Sequence, residues 1–393
     1  MNKTIIVAIV FLYVNSAISQ GFKTPIEGIY GKDYIIVNYI DWGKNTISDY
    51  KKGTKTYTGH KGTDFVLSGF PQMENGVSVI AIDSGVVSFV HDGEPDRNTV
   101  SNTELGFGNF IAIRHPNKLF SYYAHLKKNS ILVKVGASVY PGQKIAEVGS
   151  SGNSSDPHLH FELWYDSLFL IEPFAASCGT NNSYWEENIP YDTSFHVWES
   201  GLTDFIPDSD ELKTRQKEKY VFNEQDSIID FWALQYGLKK GDSTRLEWIT
   251  PNGNLWFEHR YTYKRDWWYY YYSSYIIAPS SDNWGKWQYN YYYNDKLMLS
   301  GNFEVEKSSG ISKNKRNFYY KTLDNHTLEI HLDKNYTAQS VDVFDISGKK
   351  LLHRKLNLEN QFIIKLKSDN NNPKMYFIKI KHNAGYYNFK VIL

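Results

Sequence analysis

Asp156-Pro157-His158-Leu159-His160-Phe161-Glu162 is the stretch on which the reading of this chain turns. Two histidines one residue apart, running into apolar residues, predict a strand aimed at a metal. Alternate side chains of a strand share a face, so His158 and His160 point the same way while Leu159 and Phe161 face the other side and can be buried. Upstream, Gly59-His60-Lys61-Gly62-Thr63-Asp64 offers an imidazole and a carboxylate. Between the two, Ser121-Tyr122-Tyr123-Ala124-His125-Leu126 offers a fourth histidine. Catalytic zinc takes three protein ligands from His, Asp or Glu and keeps a fourth position for water. His60, Asp64 and one histidine of the pair would make that set, one zinc per chain, and would leave two histidines to hold or move protons beside it.

Taken in order, His-x-Gly-x-Asp, Tyr-Ala-His-Leu and Gly-x-Ser-Gly-x-Ser-x-x-Pro-His-Leu-His-Phe-Glu resemble the motifs of the lysostaphin/LytM-type zinc endopeptidases. Gly85-Val86-Val87, Gly106-Phe107-Gly108-Asn109, Ile113-Arg114-His115, Val135-Gly136 and Gly142-Gln143-Lys144-Ile145 fall where that family has strands and tight turns. The resemblance covers about residues 55 to 175. It implies that His60, Asp64 and His160 bind zinc and that His125 and His158 are the two catalytic histidines outside the ligand set. It also implies a LytM-like, duplicated-hybrid-motif-like fold.

Zinc lowers the pKa of a bound water to about 7 and polarises a carbonyl oxygen. The expected reaction is therefore peptide hydrolysis through a zinc-bound water, with His125 and His158 hydrogen-bonding the tetrahedral intermediate or carrying the proton to the leaving amine. There is no His-Glu-x-x-His helix, so a thermolysin-like glutamate base is not supported. Counting by twos from His160 puts Glu162 on the metal face, where it can orient a ligand histidine or serve a purely structural role. His91, His115, His196, His259, His326, His331, His353 and His382 sit in no such constellation and are assigned no role.

Met1–Ser19 has an early charge at Lys3, an apolar run from Ile5 to Val14 and Ala17-Ile18-Ser19 before Gln20, the pattern of a cleavable signal peptide. No later stretch reaches the 18 or more apolar residues of a membrane helix, so an exported, soluble monomer is expected. The 43 basic and 43 acidic residues balance, which removes the electrostatic case for nucleic acid or an anionic membrane. Cys178, the single cysteine, cannot form an internal disulfide and reads as structural.

The fold class expected is all-β: an antiparallel catalytic sheet at 55–176, then β-sandwich accessory domains. Short β-prone runs at Val77–Ile82, Gly85–His91, Asn109–His115 and Lys144–Val148, separated by Gly, Pro, Asn and Asp, support the first part. Residues 20–54 are read as a segment wrapping that domain and building one cleft wall. Gly149–Ser155 is read as a loop at the cleft rim that faces substrate. Residues 177–190 are polar and read as a linker.

A second domain is expected at 191–306, with strands at Ser227–Leu234, Thr244–Thr250, Leu255–Tyr261 and Lys286–Tyr293 and a hairpin turn at Pro251–Asn254. Trp267-Trp268-Tyr269-Tyr270-Tyr271-Tyr272 is read as one strand, its rings filling a sandwich core or, where exposed, stacking on glycan. From 321 to 393, Val341–Leu351 with a Ser-Gly-Lys turn, then Tyr376–Ile380 and Phe389–Leu393, resemble the C-terminal sorting domain of type IX secretion cargo. Asn370–Met375 departs from that pattern where a glycine precedes the tyrosine. The resemblance implies the type IX machinery as a partner and a place outside the outer membrane of a Bacteroidetes-like bacterium.

The expected function is thus a secreted zinc endopeptidase cutting peptidoglycan cross-links or Gly-rich protein. The alternative is a non-catalytic cell-wall-binding or hydrolase-activating relative; such relatives lack ligands that this chain retains. A cupin-type site is disfavoured because its His-x-His precedes the remaining ligands, and here it comes last.

Overall fold

The computed structural model describes residues 21–97, 106–174, 183–215, 218–223, 226–279, 283–307, 318–324, 327–332, 334–345, 348–366 and 375–392. Met1–Ser19, Cys178 and most of Asn370–Met375 lie outside them. The chain is nearly all β and forms two compact units, Met1–Tyr191 and Asp192–Leu393.

In the first unit, strands β1 (Ile35–Asn38), β2 (Thr63–Val66), β4 (Gly85–His91), β5 (Asn109–Arg114), β6 (Leu119–Leu126), β7 (Ser138–Val139), β9 (His158–Tyr165) and β10 (Phe169–Ile171) make one antiparallel sheet. Its order is β1-β2-β9-β6-β5-β4-β7, with β10 also on β9. Strands β3 (Ser78–Ile80) and β8 (Lys144–Glu147) pair separately. The alternation in β9 works as the pleat requires: Leu159, Phe161 and Leu163 are buried in the core with Phe65, Ile111, Ile113 and Tyr123. His158, His160 and Glu162 therefore share the opposite face.

Two boundaries move. The stretch 20–54 supplies β1, an edge strand of the same sheet, in place of a wrap laid over it. The expected linker 177–190 and the expected first residue of the second domain belong, where described, to the first core: Trp185 and Ile189 are buried there, and the Tyr191 hydroxyl donates to Asp49 Oδ2 at 2.6 Å. Three apolar anchors in an otherwise polar run are enough to hold it down, and composition averages them away.

The second unit contains two sandwiches. In the first, a three-stranded sheet (His196–Thr203, Ile228–Tyr236, Tyr270–Ile277) faces a five-stranded one (Val221–Asn223, Lys296–Glu306, Gly285–Tyr293, Ser243–Ile249, Leu255–Thr262). Phe231, Trp248, Trp287, Tyr291 and Phe303 fill the space between. The expected turn is present, with Gly253 N donating to Thr250 O. The aromatic run is not one strand: regular pairing begins at Tyr270, while Trp267 makes an isolated bridge to Leu238. Trp267 and Tyr270 pack on the main core, Tyr269 and Tyr271 on a second cluster around Trp232. In the other sandwich, sheets formed by Phe318–Asp324, Thr327–Leu332 and Gln361–Lys365, and by Lys350–Glu359, Ala338–Phe344, Met375–His382 and Gly385–Ile392, enclose Leu328, Ile330, Val341, Ile378 and Ile380. Its first strand starts at Phe318, three residues before the expected domain boundary.

Candidate metal centre

Strand register builds the site. Asp64 on β2 lies opposite His160 on β9, and Ala124 on β6 lies opposite His160 from the other side, a side chain small enough to leave room beside the imidazole. His60 arrives from the turn before β2. Gly62 in that turn is required by close approach: a Cβ there would stand 2.6 Å from His160 Cε1 and 2.7 Å from Phe161 O.

His60 Nε2, Asp64 Oδ1 and His160 Nδ1 form a triangle with edges of 3.1, 2.9 and 3.2 Å. All three residues are buried, and together they form a His/Asp group able to hold a metal. Tetrahedral zinc with ligands at about 2.0–2.1 Å has ligand–ligand edges of about 3.3 Å, so the triangle has the size of one face of that tetrahedron. Protons alone serve it poorly. His60 Nδ1 donates to Tyr39 O at 2.7 Å, so its neutral tautomer turns a bare lone pair at Nε2 towards the Asp64 carboxylate.

Electrostatics tell the same story. Burial alone would raise the pKa of Asp64, yet the His60 charge and hydrogen bonds from His160 and His60 hold it well below the usual carboxylate range. Burial alone would lower His160, but its bonds to Asp64 and Glu162 lift it to about 9. Without another cation, the site takes up a proton.

Each ligand is oriented from behind. Asn38 Nδ2 donates to Asp64 Oδ2 at 2.8 Å. Glu162 Oε1 holds His160 Nε2 at 3.0 Å, and Trp164 Nε1 donates to Glu162 Oε2 at 2.6 Å. Glu162 thus has the ligand-orienting placement, with Nδ1 of His160 turned to the triangle. Asn38, Trp164 and the Tyr39 carbonyl escaped the sequence reading. Trp164 had a signal, since it continues the period-two face of His158, His160 and Glu162.

His125 and His158 come together beside the ligands, with ring centroids 4.5 Å apart, and His125 is 5.8 Å from His160. His125 Nδ1 donates to Ser151 O at 2.8 Å and His158 Nδ1 to Asp156 O at 2.8 Å, leaving Nε2 of each for a reacting group. His158 Nε2 is 3.8 Å from Asp64 Oδ1. Burial, reinforced by the neighbouring His158 and His160, holds the His125 imidazole well below its usual pKa, so it is neutral. His125 has φ of +58°, unusual for a residue other than glycine, and its N–H is held by Phe107 O at 2.9 Å.

The Gly149–Ser155 loop departs from the expectation of a rim facing substrate. Ser150, Ser151 and Ser154 are buried, and Ser151 Oγ donates to Leu126 O and accepts from Asn109 N. These serines brace the two histidines. His115 stands apart, its Nε2 2.6 Å from Ser121 Oγ and its Nδ1 donating to Ser84 O, with burial lowering its pKa.

Residues 58–170 match the model of Peptidase family M23, and residues 324–393 match that of the Secretion system C-terminal sorting domain. Peptidoglycan DD-endopeptidase ShyA of Vibrio cholerae is 36% identical over 110 residues, 28% of this chain and 21% of that protein. Murein hydrolase activator NlpD of Escherichia coli is 36% identical over 107 residues, 27% of this chain and 23% of that one. The chain therefore spans between a fifth and a quarter of the length of these curated relatives. A zinc-containing peptidase from Vibrio cholerae of known structure has 26% identity and a TM-score of 0.28, covering 39% of each chain.

Proposed function

Residues 58–170 are a Peptidase family M23 domain and residues 324–393 a secretion-system sorting domain; from that premise we propose a secreted zinc-dependent endopeptidase acting on peptide bonds of peptidoglycan cross-links or Gly-rich proteins. The observation that carries the proposal is the His60/Asp64/His160 triangle with His125 and His158 beside it. Bound at those three atoms, zinc would polarise a carbonyl and lower the pKa of water.

The chain's own residues do the rest. Asn38, the Tyr39 carbonyl and Glu162 fix the ligand orientations. His125, neutral and with Nε2 available, accepts the proton of the attacking water. His158, less buried and close to Asp64, donates a hydrogen bond to the developing oxyanion, and the pair passes the proton to the leaving amine. Sheltering His125 keeps its basicity low, which suits a group that must give the proton back.

An activator role, as the name of the NlpD relative describes, needs none of this machinery. The presence of all five side chains supports hydrolysis. The sorting domain supports export to the cell surface or beyond, and among the described residues no helix is long and apolar enough to cross a membrane.

The test uses the full chain, its zinc content, and hydrolysis of purified cross-linked peptidoglycan and a pentaglycine peptide. The unaltered protein holds about one zinc and cuts one of the two, while His160→Ala loses both properties. His125→Ala and His158→Ala keep the zinc and lose about 10²- to 10⁴-fold in kcat/KM. Zinc binding without cleavage of either substrate points to the activator role; no zinc binding removes the basis of the proposal.

A further inference from the structure

We propose that the open face of the catalytic sheet, on the β4 side of the metal centre, is a subsite for a large apolar side chain of a peptide substrate. The proposal rests on the endopeptidase reading and names its substrate class: protein or peptide chains carrying an apolar residue close to the cut bond.

The subsite is made by an irregularity. Val87 is buried in the core, so strict alternation would send Phe89 into the core as well. A bulge between Val87 and Phe89 breaks the count: Val87 lies opposite Ile113, but Phe89 lies opposite Ala112 and His91 opposite Phe110. Directly opposed residues share a face. Ala112 is opposite Tyr122, and Tyr122 is opposite Glu162, which stands on the face of His160. The bulge therefore re-aims Phe89 and His91 onto the metal face, the effect bulges have beside binding sites.

There the phenylalanines form a continuous row. Phe107 is 5.7 Å from the ring of His160, Phe110 is 5.5 Å from Phe107, and Phe89 is stacked on Phe110 at 4.9 Å and 20°. Phe89 ends the row 47% exposed. Leaving such a ring in water forfeits about 1.5–3 kcal/mol of burial, which a covering apolar side chain would recover. An extended peptide advances about 3.3 Å per residue, so a side chain two or three residues from the bond at the metal reaches Phe110 and Phe89.

A sugar fits less well. Three phenylalanines offer no donor or acceptor to ring hydroxyls, and covering those hydroxyls without hydrogen bonds is costly. The row's continuity with the ligand His160 points instead to the same peptide whose bond lies at the metal.

The test is cleavage by the full-length, zinc-loaded protein of pentaglycine peptides bearing Phe, Ser or Lys at the second or third position on either side. The expected result is a kcat/KM at least about tenfold higher for Phe than for Ser, on one side only, within the range a single apolar pocket gives. Phe89→Ser lowers that ratio below about threefold with zinc content unchanged, while Phe110→Leu, which keeps the row apolar, retains it. Equal rates for Phe, Ser and Lys peptides overturn the inference alone. So does a ratio unmoved by Phe89→Ser, or stronger competition by peptide-free glycan strands than by the Phe peptide. Failure to cut any peptide with zinc bound overturns the endopeptidase reading, and this inference with it.

Discussion

Two buried polar clusters, one in each unit, solve the problem of an interior carboxylate in opposite ways. In the second unit, the Glu211 carboxylate is paired with Lys379 Nζ, which also donates to Ile206 O at 3.0 Å. The charge pair is closed by the chain itself. In the first unit, the ion-pair partners of Asp64 and Glu162 are, among the described residues, histidines alone. An imidazole is a cation only by taking a proton, so that cluster has donor atoms but no permanent positive charge. The difference teaches what each cluster is for: the one that carries its own cation is a fastening, and the one that omits it is a socket.

The largest effects come from emptying or breaking the socket. Asp64→Ala, or chelation of the intact protein, is expected to remove the metal and lower kcat/KM by at least about 10³-fold. Calorimetry should also register the loss, since a metal held at about 1,000 times its dissociation constant stabilises its unit by about 4 kcal/mol. Only the transition of the first unit should move. If chelation shifts both transitions or neither, the socket reading fails.

The fastening breaks differently. Lys379→Met leaves the Glu211 carboxylate buried without its cation and is expected to destabilise the second unit by about 3–5 kcal/mol. Combining it with Glu211→Leu should recover most of that loss, because removing both charges removes the desolvation cost as well. Zinc content and hydrolysis should stay at parental values in both variants. A double variant no more stable than the single one would contradict the closed-pair description.

Much of the socket was legible because its information lies in spacing. His158, His160, Glu162 and Trp164 follow the period of a strand, and His60 and Asp64 flank the glycine that lets His160 approach. What could not be read comes from backbone or register. The Tyr39 carbonyl that fixes the His60 tautomer has no side-chain signature. Asn38 meets Asp64 only because β1 joins the sheet, and the bulge that turns Phe89 outward lies within a run whose composition is that of a regular strand. The aromatic run at 267–272 misled for a related reason: ring content indicates burial, but two different cores divide those rings between them. The Lys379–Glu211 pair joins residues 168 positions apart and leaves no local pattern.

A third buried acid sharpens the comparison by having no cation at all. Glu172 accepts from Trp42 Nε1 and Phe174 N, both at 3.2 Å, and burial pushes its pKa up to about 7. Between the ordinary glutamate value and about 7, the folded chain holds a proton that the unfolded chain has released. Stability of the first unit therefore falls as pH rises through that window, by up to roughly 3 kcal/mol. Glu172→Gln cannot ionise, so its melting temperature should exceed the parent's by about 5–10 °C at pH 8, with the gap shrinking towards zero at pH 5. A gap that does not change with pH would place the titration of Glu172 in the ordinary range.

The smallest effect concerns Glu162, which has a foot in both descriptions: it is a buried carboxylate whose partner is a ligand of the socket. Through Oε1 it orients His160 and raises the basicity of the nitrogen on the far side of the ring. Glu162→Gln keeps the shape and one acceptor but loses the charge, so zinc affinity, measured by competition with a chelating dye, is expected to fall about 10- to 100-fold. Trp164→Phe removes only the hydrogen bond to Glu162 Oε2 and should cost less than Glu162→Gln in the same assay. If the two variants weaken zinc equally, the indole matters through packing and the carboxylate charge is not what tunes His160. If only Glu162→Gln does so, the charge reaches the metal through one imidazole, as a carboxylate in a socket does and a carboxylate in a fastening does not.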